Sequence, residues 1–254
     1  MSGLKGIFFD QDGVIIDTEK DGHRVAFNQT FKSFGYSFQW DVGEYHKLLQ
    51  VAGGKERMRH YLHTKGFGKV VKPEEEDELI KKLHKYKTER FIELIEIGAL
   101  PLRPGIKRLM KDANKTGVLI GICTTSNERA ANAIAYKILK DINFNFVLAG
   151  DMVNKKKPDP EIYNLAIQTS GINCDDCVVI EDSRNGLLAA KAAGLRVVVT
   201  TNYYTEKEDL SEADLIVTCL GDPDGERGKL IKSQKQFEYD GILDLEQINK
   251  YFYS

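Results

Sequence analysis

Five short apolar runs punctuate the chain: Gly6-Ile-Phe-Phe-Asp10, Val118-Leu-Ile-Gly-Ile-Cys123, Phe146-Val-Leu-Ala149, Cys177-Val-Val-Ile180 and Arg196-Val-Val-Val-Thr200. Each is short, rich in β-branched or aromatic residues and bounded by polar or turn-forming residues, the pattern of a strand buried on both faces. Helix-length segments lie before and between the later runs, over Gly105 to Lys115, Glu128 to Lys140, Pro160 to Thr169 and Asn185 to Ala193. Strands alternating with helical crossovers predict an α/β fold, a doubly wound parallel sheet. The punctuation agrees: Asp159 can cap a helix whose first position is Pro160, and Gly194 stands where a helix ends on a left-handed residue.

The first run is set apart. About a hundred residues separate it from the second, far more than a crossover requires. That stretch is strongly charged, and Glu19 to Phe34, Asp41 to Gln50, Lys55 to Lys65 and Glu74 to Ile97 read as helices. The expected organisation is a core domain of residues 1–16 and 101–220, with an inserted helical cap domain of residues 17–100. Residues 221–254 form a C-terminal extension whose start, Gly221 to Gly228, is turn-forming, while Phe237 to Tyr253 is only weakly patterned.

Composition narrows the setting. Of 254 residues, 42% are hydrophobic and 29% charged, which excludes a mainly disordered chain. No apolar run approaches the roughly 18 residues of a membrane span. The 36 Lys and Arg against 38 Asp and Glu give a formal charge of −2, so no bulk field recruits nucleic acid or anionic lipid. Any anionic ligand must be held locally. Cys123, Cys174, Cys177 and Cys219 are too scattered to staple the fold, and Met1 to Gly6 leaves no room for a leader, so a reducing cytoplasmic setting and a monomer are expected.

Candidate chemistry gathers at the ends of the apolar runs. Asp10 and Asp12, with Gly13 between them and the next run, leave the first strand where ligands of open α/β sheets bind. Two carboxylates so close need a cation or a proton between them, although an acidic turn would show the same letters. Glu181 and Asp182 end another strand and could complete an oxygen-rich magnesium site, or cap the helix that follows together with Ser183. Lys157, in the run Lys155 to Lys157 before Pro158, could steady a phosphoryl oxygen; lysine runs are also commonly solvated. Thr124, Thr125, Ser126 and Asn127 offer hydroxyl and backbone N–H groups for phosphate at a helix start, or an ordinary N-cap.

This ordered set, an Asp-x-Asp-Gly strand end, a Thr, a Lys and an acidic pair, resembles the haloacid dehalogenase superfamily over residues 1 to about 215. The resemblance implies a Rossmann-like core and a magnesium-dependent phosphoryl transfer. In it Asp10 attacks phosphorus to form an aspartyl-phosphate, and Asp12 protonates the leaving oxygen and then activates water. Thr124 and Lys157 would orient phosphoryl oxygens; Asp182, aided by Glu181, would bind Mg2+ with Asp10 and the Asp12 carbonyl. Gln11 departs from the family pattern, which usually carries an aliphatic residue there.

Within the insert and just after it, His23-Arg24, Gly53-Gly54-Lys55-Glu56-Arg57, Lys87-Thr88-Glu89-Arg90 and Leu102-Arg103-Pro104-Gly105 are similar to the CbbY-type subgroup of sugar bisphosphate phosphatases. The glycines permit close backbone approach, and Lys55, Arg57, Lys87 and Arg90 would offer donors to a second phosphate. Glu19, His23, Glu56 and the Thr125 to Asn127 segment complete the expected substrate contacts. The implied reaction is hydrolysis of xylulose-1,5-bisphosphate to xylulose 5-phosphate. A β-phosphoglucomutase-like mutase and a non-catalytic phosphosugar-binding protein are the competing expectations. Cys174 and Cys177 lack a second ligand pair, and the Gly53-Gly54-Lys55 stretch lacks the remainder of a Walker loop, so neither redox nor nucleotide chemistry is read from them.

Overall fold

The computed structural model describes residues 3–51 and 53–254; Met1 and Ser2, where the predicted core domain and leader-free start begin, lie outside the described residues. The chain divides into two compact units, residues 1–17 with 101–254, and residues 18–100.

The larger unit is built on strands β1 (Gly6–Phe9), β2 (Leu119–Cys123), β3 (Phe146–Leu148), β4 (Cys177–Glu181), β5 (Arg196–Thr200), β6 (Leu215–Val217) and β7 (Leu230–Ser233). They form one sheet of order β3-β2-β1-β4-β5-β6-β7, parallel except for the β6 and β7 pair. The five predicted strands are β1 to β5. β6 and β7 escaped the pattern: β6 follows β5 with no helix between them and so falls outside the strand–helix alternation, and β7 is an edge strand with Leu230 and Ile231 half exposed.

β1 lies between β2 and β4, and Phe9 is level with both Ile122 and Ile180. The chain therefore reverses its direction of winding at β1, which opens a crevice at the carboxyl ends of these strands. Side-chain alternation then decides which groups meet. Phe8, Cys177 and Val179 share one buried face with Tyr163 and Leu187, so Asp10 and Glu181, two residues further on, emerge on that same face.

The chain's nine α-helices, counted among the described residues, are α1 (Arg24–Ser33), α2 (Val42–Leu48), α3 (Gly54–Thr64), α4 (Pro73–Glu96), α5 (Ile106–Thr116), α6 (Glu128–Ala133), α7 (Glu161–Ser170), α8 (Arg184–Ala192) and α9 (Leu245–Tyr253). Ser183 caps α8 by accepting from the Gly186 N–H at 3.2 Å, and Gly194 is left-handed at φ 78°. Asp159 accepts from the Glu161 N–H, so α7 begins one residue later than predicted. Residues 221–254 belong to the larger unit: β7 closes the sheet and α9 packs on α5.

The smaller unit carries α1 to α4 around an aromatic core in which Phe27, Phe31, Trp40 and Tyr45 are fully buried, Trp40 lying 4.8 Å from both phenylalanine rings. Its first predicted helix, Glu19 to Phe34, is divided: Thr18–His23 is a π-helical turn, and α1 follows. A π-turn re-aims the residues it carries and recurs at functional sites. The segment predicted over Glu128 to Lys140 is likewise α6 followed by a π-turn, Ile134–Ile138. Among the described residues, no helix is long and apolar enough to cross a membrane.

Candidate active site at the strand ends

Four segments of the larger unit converge on one ammonium group. Lys157 Nζ donates to Asp10 Oδ1 at 2.5 Å, to Glu181 Oε1 at 2.6 Å and to the Cys123 carbonyl at 2.9 Å. All three side chains are nearly closed to solvent: 5% exposed for Lys157, 9% for Asp10 and 0% for Glu181. Lys155 and Lys156 are exposed, so within the lysine run only Lys157 turns inward. Tyr163, on α7, adds a hydroxyl that donates to Glu181 Oε1 at 2.6 Å, while the Asp182 N–H donates to Glu181 Oε2 at 3.0 Å. Both oxygens of Glu181 are thus occupied by donors of the chain. A Cβ at Gly186 would stand 2.0 Å from that carboxylate, so α8 can approach it only with a glycine there.

Asp10, Glu181 and Asp182 present carboxylate oxygens within 4.8 Å of one another, all buried. Burial, then the repulsion of Glu181 and Asp12, pushes the Asp10 carboxyl well above its ordinary value despite Lys157. Asp182 is raised the same way by burial and by its Asp10 and Glu181 neighbours, with Arg103 and Asn202 opposing. Burial alone would lower Lys157, but the Asp10 and Glu181 carboxylates raise it above the usual lysine value. One ammonium therefore does not balance three carboxyl groups. The surplus of hard, buried oxygen donors fits a divalent cation such as magnesium.

Asp12 stands on the other side of the loop that follows β1. Its Oδ2 accepts from Ser126 Oγ at 2.6 Å and from Thr124 Oγ1 at 3.2 Å. Thr124 Oγ1 in turn accepts from the Ser126 N–H, which folds this strand end back toward Asp12. Asn127 has the bland role the sequence allowed: its side-chain oxygen caps α6 by accepting from the Ala130 N–H at 3.0 Å. The Thr125 carbonyl accepts from Lys156 Nζ.

Gly13 takes φ 91°, and a Cβ there would lie 2.1 Å from Asp182 Oδ2. Only a glycine lets the loop close against that carboxylate.

Gln11 is fully buried between the two aspartates, and neither atom of its amide has a hydrogen-bond partner. An unmet buried amide costs about 1–3 kcal/mol. Gln11→Met is accordingly expected to raise unfolding stability by about 1–2 kcal/mol and leave kcat within about twofold. Denaturant titration and a steady-state assay check this; a destabilised variant would show that the amide has a use in the folded protein.

Sequence reading did not find Arg103, Tyr163, Asn202 and Gly186 as parts of this site. Arg103 stood within one of the subgroup words, but nothing in its spacing said what it would touch.

The smaller unit gathers a second set of predicted residues. Tyr45 Oη donates to Glu19 Oε2 at 2.6 Å and accepts from Arg57 at 2.9 Å, and Arg57 also donates to the Leu48 carbonyl at 3.1 Å. Lys87 Nζ lies 2.9 Å from His23 Nδ1 and over the rings of Phe27 and Phe91. Arg57 and Lys87 are both buried. Burial, with Arg57 nearby and against the pull of Glu19, lowers Lys87 to about 8. His23 is held well below its usual value by burial and by Lys87, Arg57 and His84, which favours the neutral ring beside the Lys87 ammonium.

Around α3, Gly53 takes φ 89° with the Glu56 carboxylate against its Cα, and Gly54 abuts the His84 ring. Lys55 follows at the start of α3, and its charge reaches His84. Arg90 is not brought to the Lys87 cluster: it pairs with Glu93 at 2.5 Å and stacks on Tyr86.

The family described as haloacid dehalogenase-like hydrolase matches residues 4–194. A CBBY-like protein of Arabidopsis thaliana is 47% identical over 238 residues, covering 90% of this chain and 75% of the relative. The crystal structure of a CbbY from Rhodobacter sphaeroides in complex with xylulose-1,5-bisphosphate superposes with a TM-score of 0.65 at 37% identity, over 85% of this chain and 94% of that one. A putative β-phosphoglucomutase of Thermotoga maritima gives 0.67 at 25% identity, over 84% and 94%. The chain belongs to the haloacid dehalogenase-like hydrolases, as one of their CbbY-like phosphatases.

Proposed function

We propose that the protein is a magnesium-dependent sugar-phosphate phosphatase that hydrolyses xylulose-1,5-bisphosphate to xylulose 5-phosphate through an aspartyl-phosphate on Asp10, as a monomer of the cytoplasm. The observation that carries the chemistry is the convergence of Asp10, Asp182 and the Lys157–Glu181 pair at adjacent strand ends, with Asp12 held nearby by Thr124 and Ser126. The likeness to a CbbY crystallised with xylulose-1,5-bisphosphate supports the substrate.

Asp10 is the nucleophile: its carboxylate oxygen bonds to phosphorus as the ester P–O bond breaks. Asp12, oriented by two hydroxyls, gives its proton to the departing sugar oxygen. It then takes a proton from water, whose oxygen attacks phosphorus and returns Asp10 as a carboxylate with release of inorganic phosphate. Thr124 and Lys157 supply donors to the phosphoryl oxygens. Asp10, Asp182 and the Asp12 carbonyl would hold magnesium, with Glu181 steadying Asp182 and Lys157; the bound ion would neutralise phosphoryl charge during transfer.

Release of phosphate and xylulose 5-phosphate from the bisphosphate, in preference to glucose phosphates and only with Mg2+, is the expected assay result. Isomerised glucose phosphate as the main product would establish a mutase instead. No turnover of any phosphate ester by the wild type would establish a phosphosugar-binding protein.

In this reading Glu19, His23, Lys55, Arg57 and Lys87, with the Gly53 and Gly54 backbone and Glu56, recognise the second phosphate of the bisphosphate, and Arg90 adds positive charge to the same unit. Lys87 then gives a pH signature. Its ammonium form, which an anionic phosphate needs, is lost as pH rises through about 8 in the free protein. The value of kcat/KM for the bisphosphate is therefore expected to fall above that pH, approaching tenfold per unit. Lys87→Arg, which stays charged, should carry the fall to higher pH. A small substrate without a second phosphate, p-nitrophenyl phosphate, should lack this limb. The same alkaline fall for both substrates would remove Lys87 from recognition.

A further inference from the structure

Arg103 lies just before α5, and its guanidinium is surrounded by carbonyl oxygens from three separate strand ends. One terminal nitrogen donates to the Gly13 carbonyl and, at 3.0 Å each, to the Thr200 carbonyl and hydroxyl. The other donates to the Thr201 carbonyl at 2.6 Å and the Thr218 carbonyl at 2.8 Å. Its own backbone N–H donates to the Ile15 carbonyl at 2.9 Å. One residue thus fastens the loop after β1, at two points, to the ends of β5 and β6.

That loop carries Asp12 and Gly13, and Gly13 fits against the Asp182 carboxylate with no room for a side chain. From the β5 side, Asn202 Nδ2 donates to the same oxygen, Asp182 Oδ2, at 2.7 Å. The amide is aimed by its own Oδ1, which accepts from the Tyr204 and Thr205 N–H groups in a tight turn. Asp182 Oδ2 is therefore held between Gly13 and Asn202, and Arg103 fixes both of the segments that do the holding.

We propose that Arg103 is a positioning residue for the cation site: it sets the distance between the Asp12–Gly13 loop and Asp182, and so the affinity for the divalent ion, without touching substrate. This rests on the reading that the acidic cluster binds magnesium. A planar fork suits the task because its two nitrogens reach acceptors on different strands at once, which a lysine ammonium cannot do at the same span. Its charge acts in the opposite sense, since a cation beside Asp182 would weaken binding of a second cation. The clamp and the charge are separable for that reason.

The test is calorimetric titration of Mg2+ into metal-free protein, with Mn2+ binding followed by electron paramagnetic resonance as a second readout, for the wild type, Arg103→Lys and Arg103→Met. Removing a group that orients metal ligands typically weakens metal affinity about 10–100-fold, and a loss in that range is expected for Arg103→Met. Arg103→Lys keeps the charge but not the fork, and should lose several-fold in affinity while melting near the wild type. At saturating Mg2+, KM for p-nitrophenyl phosphate should be unchanged in both. Should Arg103→Met fail to fold, the lysine variant decides alone. Wild-type affinity in a folded Arg103→Lys, or tighter binding in Arg103→Met, would overturn the inference. A wild-type protein that takes up no Mg2+ would overturn the metal reading itself together with it.

Discussion

Asp10→Asn is expected to abolish turnover, by at least about 10⁴-fold in kcat, because in the proposed mechanism the carboxylate of residue 10 is the group that bonds to phosphorus. The fold should not suffer. The carboxyl is buried, crowded by Glu181 and Asp12, and already raised well above its ordinary value, so a neutral amide of the same shape relieves repulsion. It can still accept from Lys157 through its oxygen. Melting temperature is therefore expected to stay level or rise while activity disappears. Trapping of the phosphoenzyme during wild-type turnover should label residue 10 and nothing else. A variant that keeps a tenth of its activity, or label on another residue, would end the proposal of an aspartyl-phosphate at this position.

Lys157→Met should cost both stability and activity. In the folded protein the ammonium joins two carboxylates that are nearly closed to solvent. Removing one partner of a buried ionic group and leaving the others uncompensated typically costs about 3–5 kcal/mol. The Cys123 carbonyl loses its donor as well. Because Lys157 is raised above its unfolded value, its stabilising contribution is complete below the ordinary lysine pKa and is lost only as pH rises through the higher folded value. The loss in the variant should thus be seen in full at neutral pH by denaturant titration. A fall of about 10²–10³-fold in kcat should accompany it, the usual effect of removing one donor that meets developing charge. A variant as stable as the wild type would mean that Asp10 and Glu181 are not both ionised beside this lysine.

Asp10 and Lys157 were both legible in the sequence, for different reasons. Asp10 follows an apolar run directly, so period and strand polarity already place it at a ligand-binding edge. Lys157 was distinguishable from Lys155 and Lys156 only through the neighbouring proline and the family resemblance; the chain then turns that one residue inward. Asn127 looked equally suited to phosphate or to a cap, and α6 takes it as a cap. Arg90 and Lys87 sit three residues apart in one charged word, yet only Lys87 meets His23, because Arg90 is held by Tyr86 and Glu93. β6 and β7 were missed because one follows β5 without a helical crossover and the other is too exposed to stand out from the polar background.

What the amino-acid order determined by itself is local: which runs are strands, that a helical insert divides the first from the second, and which acidic, basic and hydroxyl groups stand at strand ends. Period, turn chemistry and strand polarity are properties of neighbouring residues and can be read without the fold. The tertiary structure alone decided which distant groups share a charge: that Tyr163 and Gly186 close on Glu181, that Asn202 holds Asp182, and that Arg103 ties Gly13 to Thr200, Thr201 and Thr218. Such contacts depend on the register of β1 between β2 and β4 and on the depth of burial. Neither leaves a mark in the spacing of the residues concerned.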